Sequence, residues 1–459
     1  MNEFLICSCG IILCMIGVFF LRKRDKRILL SIDNGFVALY IVFFGVIFPI
    51  NYVYASNYVK DNELILSIDT LDILIYYEVI LIVLITVKSF FTMLCPQKEI
   101  FNFVPSSIDL GNNEKTFYNT GLIVFLIGIV SDFLYLKAYG GYFNYLKYSN
   151  AIRSGVITVQ NPFSFLIAFR GCINISSYVF FAVYLNSRKG QRLFPLILFL
   201  GTCIYSMMIL YSNKGRVAFA FYFLILLFIF LFSKKKVRFL TFKMFFHIIL
   251  IILFFIIGLG LIGHILGRNS SNDLFSLIIE EISFVYNNFF RLIKTESVEY
   301  RYFIDCINWP IYLLPSSIWS TRLDIKTVSD LMTILSSGAV KGGIGASGSI
   351  VYGETPADLI SVCYAQLGFL GVPFFALAWA WIGKQLLKFC SREMESKGAY
   401  IFYKVYATLY FFFNSILYGD PKHIIQSMFP FLVFIIIYHV MKPKQTYNKK
   451  VLFYNQKNS

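Results

Sequence analysis

Charge is scarce in this chain. Asp, Glu, Lys and Arg make up 14% of its 459 residues, against 58% hydrophobic ones, whereas soluble domains carry about 25% charged residues. That balance excludes an ordinary soluble domain and implies a protein that crosses a membrane several times. Acidic residues are scarcer still, 25 against 41 basic ones. The net charge of +16 could belong to a nucleic-acid binder, but its placement argues for none, because the cations cluster in short loops between apolar runs. The nine cysteines lie mostly inside those runs and form no CxxC or ligand-spaced set, so no disulfide or metal framework is expected. Histidine occurs four times. HExxH, a Walker loop, zinc spacing and an Asp-rich diphosphate–magnesium motif are all missing, which leaves no sequence handle for a metal or a cofactor.

Long apolar runs are abundant instead. Several reach the roughly 20 residues that span hydrocarbon as a helix, and no alternating barrel strands are seen, so the expected fold is an all-α polytopic membrane protein. The runs fall at 3–21, 35–55, 71–94, 117–137, 163–185, 195–212, 217–233, 239–264, 357–388, 399–419 and 425–441, about eleven transmembrane helices. The first run precedes its basic cluster, "RKRDKR", so it reads as a retained helix with its N-terminus outside rather than a cleaved leader. Eleven crossings from there put 22–27, 95–116, "NSRKGQR" (186–192), "KKKVR" (234–238), 388–398 and the tail from Lys442 in the cytoplasm, in line with the positive-inside rule. The organisation is then 1–264 as helices one to eight, 265–355 as a large extracytoplasmic loop, and 356–459 as helices nine to eleven with a cytoplasmic tail.

Three segments face outward on this reading. The first, 138–162, carries Arg153. The second is the tight turn "SNKGR", whose Lys214 and Arg216 have no acid nearby and sit where cations are depleted. They could simply snorkel to lipid headgroups. The third is the long loop. Its stretch 273–294 places Leu274, Leu277, Ile278, Ile282, Val285, Phe289 and Leu292 on one helical face, and Glu280, Glu281, Asn287, Asn288, Arg291 and Lys294 on the other. This predicts an amphipathic helix lying on the membrane. Tyr302, Trp309, Tyr312 and Trp319 suit an interfacial belt. Residues 336–359 are dense in glycine, with Gly343 and Gly345 at the centre, and predict a backbone nest with N–H groups free for an anion. Thr355 and Pro356 read as the cap and first turn of the next helix, beside Glu354.

Two charges lie inside the spans at similar depth, Asp132 and Arg170. They predict either a functional pair or a buried structural one. Together with Arg153, Lys214, Arg216, Arg291 and Arg301, Arg170 gives the outer face a set of cations suited to phosphate. Glu354, with Asp305 and Glu280 behind it, is the candidate general base for a sugar hydroxyl, and the cations would stabilise a departing diphosphate.

"YGGYFNYLKYSNAIRSG", "YSNKGR" and "GGIGASGSIVYGETPADLISVCYAQLGFLGV", with the late outer loop, make the chain resemble the Wzy-type O-antigen polymerases of bacterial inner membranes. The arginine-x10-glycine pattern of some members is absent from the outer loops. The resemblance implies a GT-C-like fold, no required metal, and transfer of a growing glycan from undecaprenyl diphosphate to a lipid-linked repeat unit on the periplasmic face. It also implies lipid partners and, for the pathway, a flippase and a chain-length regulator. The alternatives are an O-antigen ligase, a lipid-linked oligosaccharide flippase and a structural export subunit.

Overall fold

The computed structural model describes residues 2–21, 23–24, 27–29, 32–58, 67–94, 110–154, 161–187, 189–213, 216–234, 239–240, 250, 258, 285–295, 299–314, 318–319, 323–346, 348–351, 353–392, 402–403 and 405–442. It is an all-α polytopic membrane protein. Eight of the described helices are long and apolar enough to cross a bilayer: Asn2–Phe20, Asp33–Tyr54, Thr70–Met93, Glu114–Lys137, Ser164–Asn186, Leu193–Asn213, Leu359–Phe389 and Pro421–Met441. Two shorter apolar helices, Ala218–Leu231 and Val405–Leu417, fall inside the runs expected at 217–233 and 399–419. The run at 239–264 lies almost wholly outside the described residues. Large apolar side chains such as Phe4, Phe19, Phe133, Ile204, Phe374 and Val440 stand exposed on the perimeter, a surface that only lipid would tolerate.

The helices are numbered here as α1 (Asn2–Phe20), α2 (Ile32–Tyr40 continuing through Ile41–Ile47 and Phe48–Tyr58), α3 (Thr70–Leu94), α4 (Leu110–Lys137) and α5 (Tyr142–Ser154). They continue with α6 (Ile167–Arg170 and Cys172–Asn186), α7 (Leu193–Asn213), α8 (Arg216–Lys234), α9 (285–294), α10 (Val328–Ser337), α11 (Leu359–Arg392), α12 (Val405–Leu417) and α13 (Pro421–Met441). Polar contacts between helices respect the alternation expected from charge. Lys88 near the end of α3 reaches Asp33 at the start of α2 at 2.7 Å. Asn186 and Ser233 join the ends of α6 and α8 at 3.4 Å. At the opposite end, Asn2 donates to the Ile68 carbonyl at 2.9 Å. Three short antiparallel strands, β1 (Lys23–Arg24), β2 (Arg27–Leu29) and β3 (Phe239–Leu240), pair β1 to β2 and β2 to β3. They bring two of the basic loops to one side of the bundle. The end carrying Asn2 is called the upper end below.

The described end of the amphipathic stretch, 285–294, is packed inside the bundle rather than on its surface. α9 is inserted among α2, α3 and α11, with Tyr286 packed on Phe48 (4.9 Å between ring centroids), Phe289 on Tyr76 (5.0 Å) and Phe289 on Tyr364 (5.1 Å). The expected polar face fails at Asn288, which is fully buried and donates to the Pro356 carbonyl at 2.7 Å. That bond satisfies the amide nitrogen, while Oδ1 stays buried without a partner, and the neighbouring Phe289 and Phe290 are fully buried beside it. Residues 273–284, Glu280 among them, lie outside the described residues. Tyr312 and Trp319 are buried against each other, 5.4 Å between centroids, so only Tyr302 and Trp309 keep the exposure an interfacial ring requires.

α11 is broken within the membrane-spanning length. Leu367 (φ −160°, ψ 38°) and Gly368 (φ 57°, ψ −142°) leave the helical region, which strands backbone carbonyls in an apolar environment. The loop supplies their donors. Arg301 N–H bonds the Ala365 carbonyl at 3.0 Å, and Tyr302 N–H bonds that of Gln366 at 2.9 Å. The Gln366 side-chain oxygen accepts from Phe303 N–H at 3.0 Å. A Cβ on Gly368 would stand 2.9 Å from the Tyr300 hydroxyl, so glycine answers both the positive φ and the close approach. The start of α11 also lies later than Thr355. Asp358 Oδ2 accepts from the N–H groups of Ile360 and Ser361, each at 3.1 Å, and is the observed cap. Thr355 instead donates its N–H to Thr333 on α10 at 2.8 Å.

Candidate functional site

Helix periodicity builds a cavity near the upper end, about 410 Å³, between α6, α7, α8, α12 and α13. From α6 it takes Arg170, Asn174 and Tyr178, spaced four apart. From α12 and the residue after it come Tyr406, Tyr410, Asn414 and Tyr418, again four apart. In an α-helix that spacing drifts by about 40° a step. Thr408–Phe413 is a π-helix, whose wider turn offsets the drift and keeps these residues on one wall. α13 adds His423, Gln426 and Ser427 from its first turns. Asn213 and Ala218 also line the cavity, and Lys214 and Arg216 stand between them in the sequence.

The wall is polar and aromatic, and among the described residues it holds no carboxylate. Tyr406 and Tyr410 stack at 4.5 Å, and the Tyr406 hydroxyl donates to the Ser427 carbonyl at 3.1 Å. The ring of Tyr418 meets His423 edge-on at 5.8 Å. Asn174 Oδ1 is buried without a hydrogen-bond partner. A cavity of this size, with a few convergent polar groups, is within the range of small-molecule sites.

Arg170 is 1% exposed and organises the upper rim. Its Nε donates to Asp132 Oδ1 at 2.5 Å, Nη1 to Asn213 Oδ1 at 3.1 Å and Nη2 to Ser212 Oγ at 3.4 Å. Tyr205 donates to the other Asp132 oxygen at 2.7 Å. The guanidinium lies 4.9 Å from the Tyr135 ring centroid and 5.3 Å from that of Tyr145, within cation–π range. One side chain thus joins α4, α5, α6 and α7. The pair expected from sequence is present and buried, and Arg170 does not reach freely upward to a ligand. Guanidinium has five N–H donors, and three are used by these bonds.

The sequence's other candidates disperse. Glu354 forms an ion pair with Lys422 at the start of α13, and Lys422 also lies 5.3 Å from the Trp319 ring. Asp305 is fully buried and held by a two-pronged Arg301 contact, 2.6 Å from Nε and 2.9 Å from Nη2, while Arg301 also donates to the Lys326 carbonyl. Burial pushes the Asp305 carboxyl above its ordinary range, and the Arg301 fork pulls it back. Arg291 is half-buried on α9 with no carboxylate partner among the described residues. Arg153 and Arg216 are placed as helix residues of α5 and α8. Their side chains, with Lys214, lie outside the described residues.

The glycine-rich segment is a hairpin rather than an open nest. Gly342 N–H bonds the Val351 carbonyl at 2.8 Å, Gly343 that of Val340 at 3.0 Å, and Gly345 that of Ser349 at 2.8 Å. Ala346 and Gly348 N–H are likewise paired to backbone carbonyls. The donors an anion would need are therefore spent on the hairpin. No grouping of three or more His, Cys, Asp or Glu able to hold a metal occurs among the described residues.

Sequence reasoning gave no role to Asp420, and it placed His423 near the outer face without one. Asp420 caps α13, accepting from Lys422 N–H at 2.9 Å, and also accepts from Ser329 N–H of α10 at 3.0 Å. "YGDPKH" carried the signal, an Asp before Pro at a helix start with His two residues on. Comparison with family models, curated proteins and solved structures finds no match to the chain.

Proposed function

We propose that the chain is a glycosyltransferase of the bacterial inner membrane that joins undecaprenyl-diphosphate-linked repeat units into a surface polysaccharide on the periplasmic face. The observation that carries this reading is the polar, tyrosine-lined cavity at one end of a lipid-exposed bundle, whose wall includes Asn213 and Ala218, the residues between which Lys214 and Arg216 fall in the sequence. A lipid-linked diphosphate needs that combination: its lipid stays in the bilayer, its phosphates want cations, and its sugars want rings and amides. The GT-C-like architecture belongs to this proposal.

In the proposed reaction the donor diphosphate sits at the turn. Arg216 opens α8, where free N–H groups and the helix dipole favour an anion, and its fork binds two phosphate oxygens. Lys214 adds charge. Arg170 acts through Asn213 and Ser212 as a positioning residue for the turn. Asp305 with Arg301 secures the break in α11, and Glu354 holds Lys422 beside the cavity.

The test is surface glycan length in a strain deleted for this chain. A polymerase loss leaves lipid cores with a single repeat unit, a ligase or flippase loss leaves bare cores, and loss of a structural subunit shortens chains by degrees. Within the same assay, Arg216→Ala collapses the product to single repeats and Arg216→Lys recovers little, because losing one preorganised donor to a developing charge costs about 10²–10³ in rate. A fully active Arg216→Lys would return the turn to headgroup snorkelling.

A further inference from the structure

With no carboxylate among the described residues of its wall, the cavity still needs a proton acceptor if it is to do chemistry. Glu354, Asp305 and Asp132 each have a cationic partner within the protein, and none of them lines the cavity. Asp420 has both oxygens occupied by N–H groups. His423 does line it, from the first turn of α13, on the same face as Gln426 and Ser427. Its ring is fixed edge-on to Tyr418. In the same wall, Asn174 Oδ1 is a buried acceptor with no donor, a demand that a bound hydroxyl would meet. The stacked Tyr406–Tyr410 pair offers apolar ring faces beside polar hydroxyls.

We infer that this cavity is a saccharide subsite and that His423 is the catalytic base taking the proton from the attacking sugar hydroxyl. The inference rests on the polymerase reading above and adds its missing group. In the step, a bond forms between the acceptor hydroxyl oxygen and the donor anomeric carbon. The bond from that carbon to the phosphate oxygen breaks, and its electron pair leaves with undecaprenyl diphosphate. The hydroxyl proton passes to an imidazole nitrogen, which returns it to solvent after the product leaves. No metal and no redox partner enters the balance. The aromatic and amide walls orient the ring, and Arg170 fixes the rim.

The experiment uses full-length protein reconstituted in lipid nanodiscs. Its probe is the undecaprenyl-diphosphate-linked oligosaccharide extracted from cells deleted for this chain. Binding and chain extension are measured for wild type, His423→Gln, His423→Ala and Glu354→Gln. General-base loss costs about 10²–10⁴ in rate, so His423→Gln should bind within threefold of wild type and extend chains 10²–10⁴ times more slowly. Added imidazole should restore a measurable part of the His423→Ala rate, which also demonstrates that the variant is folded. Extension by His423→Gln within threefold of wild type overturns the assignment. So does a parallel loss of binding and rate, or a Glu354→Gln block alongside an active His423→Gln. Should both His423 variants lose the fold, wild type is carbethoxylated and the modified residues are mapped by mass. Loss of rate tracking His423 supports the base, and full rate with His423 modified overturns it. A wild-type protein that binds but never extends refutes the polymerase reading itself, an outcome separable from failure of the histidine alone.

Discussion

Removing Arg170 alone should be far more damaging than removing Arg170 and Asp132 together. Both side chains are 1% exposed and their charged atoms lie 2.5 Å apart. In Arg170→Met the Asp132 carboxylate stays buried with only the Tyr205 hydroxyl as donor, and breaking a buried pair in this way costs about 3–5 kcal/mol. Against a reserve of about 5–15 kcal/mol, that is a large share of total stability. The double variant Asp132→Leu/Arg170→Met carries no stranded charge, and exchanging a buried ion pair for apolar side chains is often neutral. It still forfeits the bonds to Asn213, Ser212 and Tyr205, at about 1 kcal/mol each. The double variant should therefore melt above either single one, read from thermal unfolding of the detergent-solubilised protein. Its glycan chains should nevertheless remain short, because Asn213 and Ser212 lose the guanidinium that positions them, and misplacing a binding group costs about 10² in rate. A double variant no more stable than the singles refutes the buried-pair reasoning. One with full-length chains refutes a place for Arg170 in the chemistry.

Three further outcomes are expected. Arg301→Gln leaves Asp305 buried without its cation and should lower thermal stability at neutral pH by about 3–5 kcal/mol. Because burial already raises the Asp305 carboxyl, folding favours its protonated form, a contribution present below the unfolded value and lost as pH rises through the folded one. The gap to wild type in a pH series of melting curves should thus narrow on acidification, and a gap that widens would contradict the sign. Gly368→Ala puts a Cβ at positive φ against Tyr300 and should cost about 1–3 kcal/mol, with protease sensitivity appearing between 299 and 314; an unchanged digestion pattern would refute the docking role. Reporter fusions at Gly190 and Lys235 should be cytoplasmic and those at Asn150 and Gly343 outside. A cytoplasmic Gly343 would remove the periplasmic mechanism.

Spans were legible in the sequence because hydrocarbon imposes a single rule on length and polarity. Ten of the eleven expected runs coincide with the eight long and two shorter apolar helices. The pairing of Asp132 with Arg170 was legible for a related reason, since two charges at one depth seldom stay apart. The cavity was not. Its walls come from helices separated by more than 200 residues, and Tyr406, Tyr410 and Tyr418 look like any aromatic residues of a span until the π-helix turns them to one side. The glycine run misled because residue type reports which backbone shapes are allowed but not where the N–H groups point. α9 misled because period alone cannot distinguish a helix floating on lipid from one wedged into a bundle, and the deciding contact, Asn288 with Pro356, spans 68 residues.

The break in α11 also bears on how the chain is assembled. Residues 299–303 are made before the helix whose stranded carbonyls they satisfy, so α11 can enter the bundle with its donors already waiting. Order of synthesis and order of need coincide. Moving this segment behind α11, as a circular permutation would, makes the helix linger in lipid with bare carbonyls. The described residues 299–305 are thereby tied into the membrane domain as one of its supports, and any motion of the upper part of α11 must carry them with it.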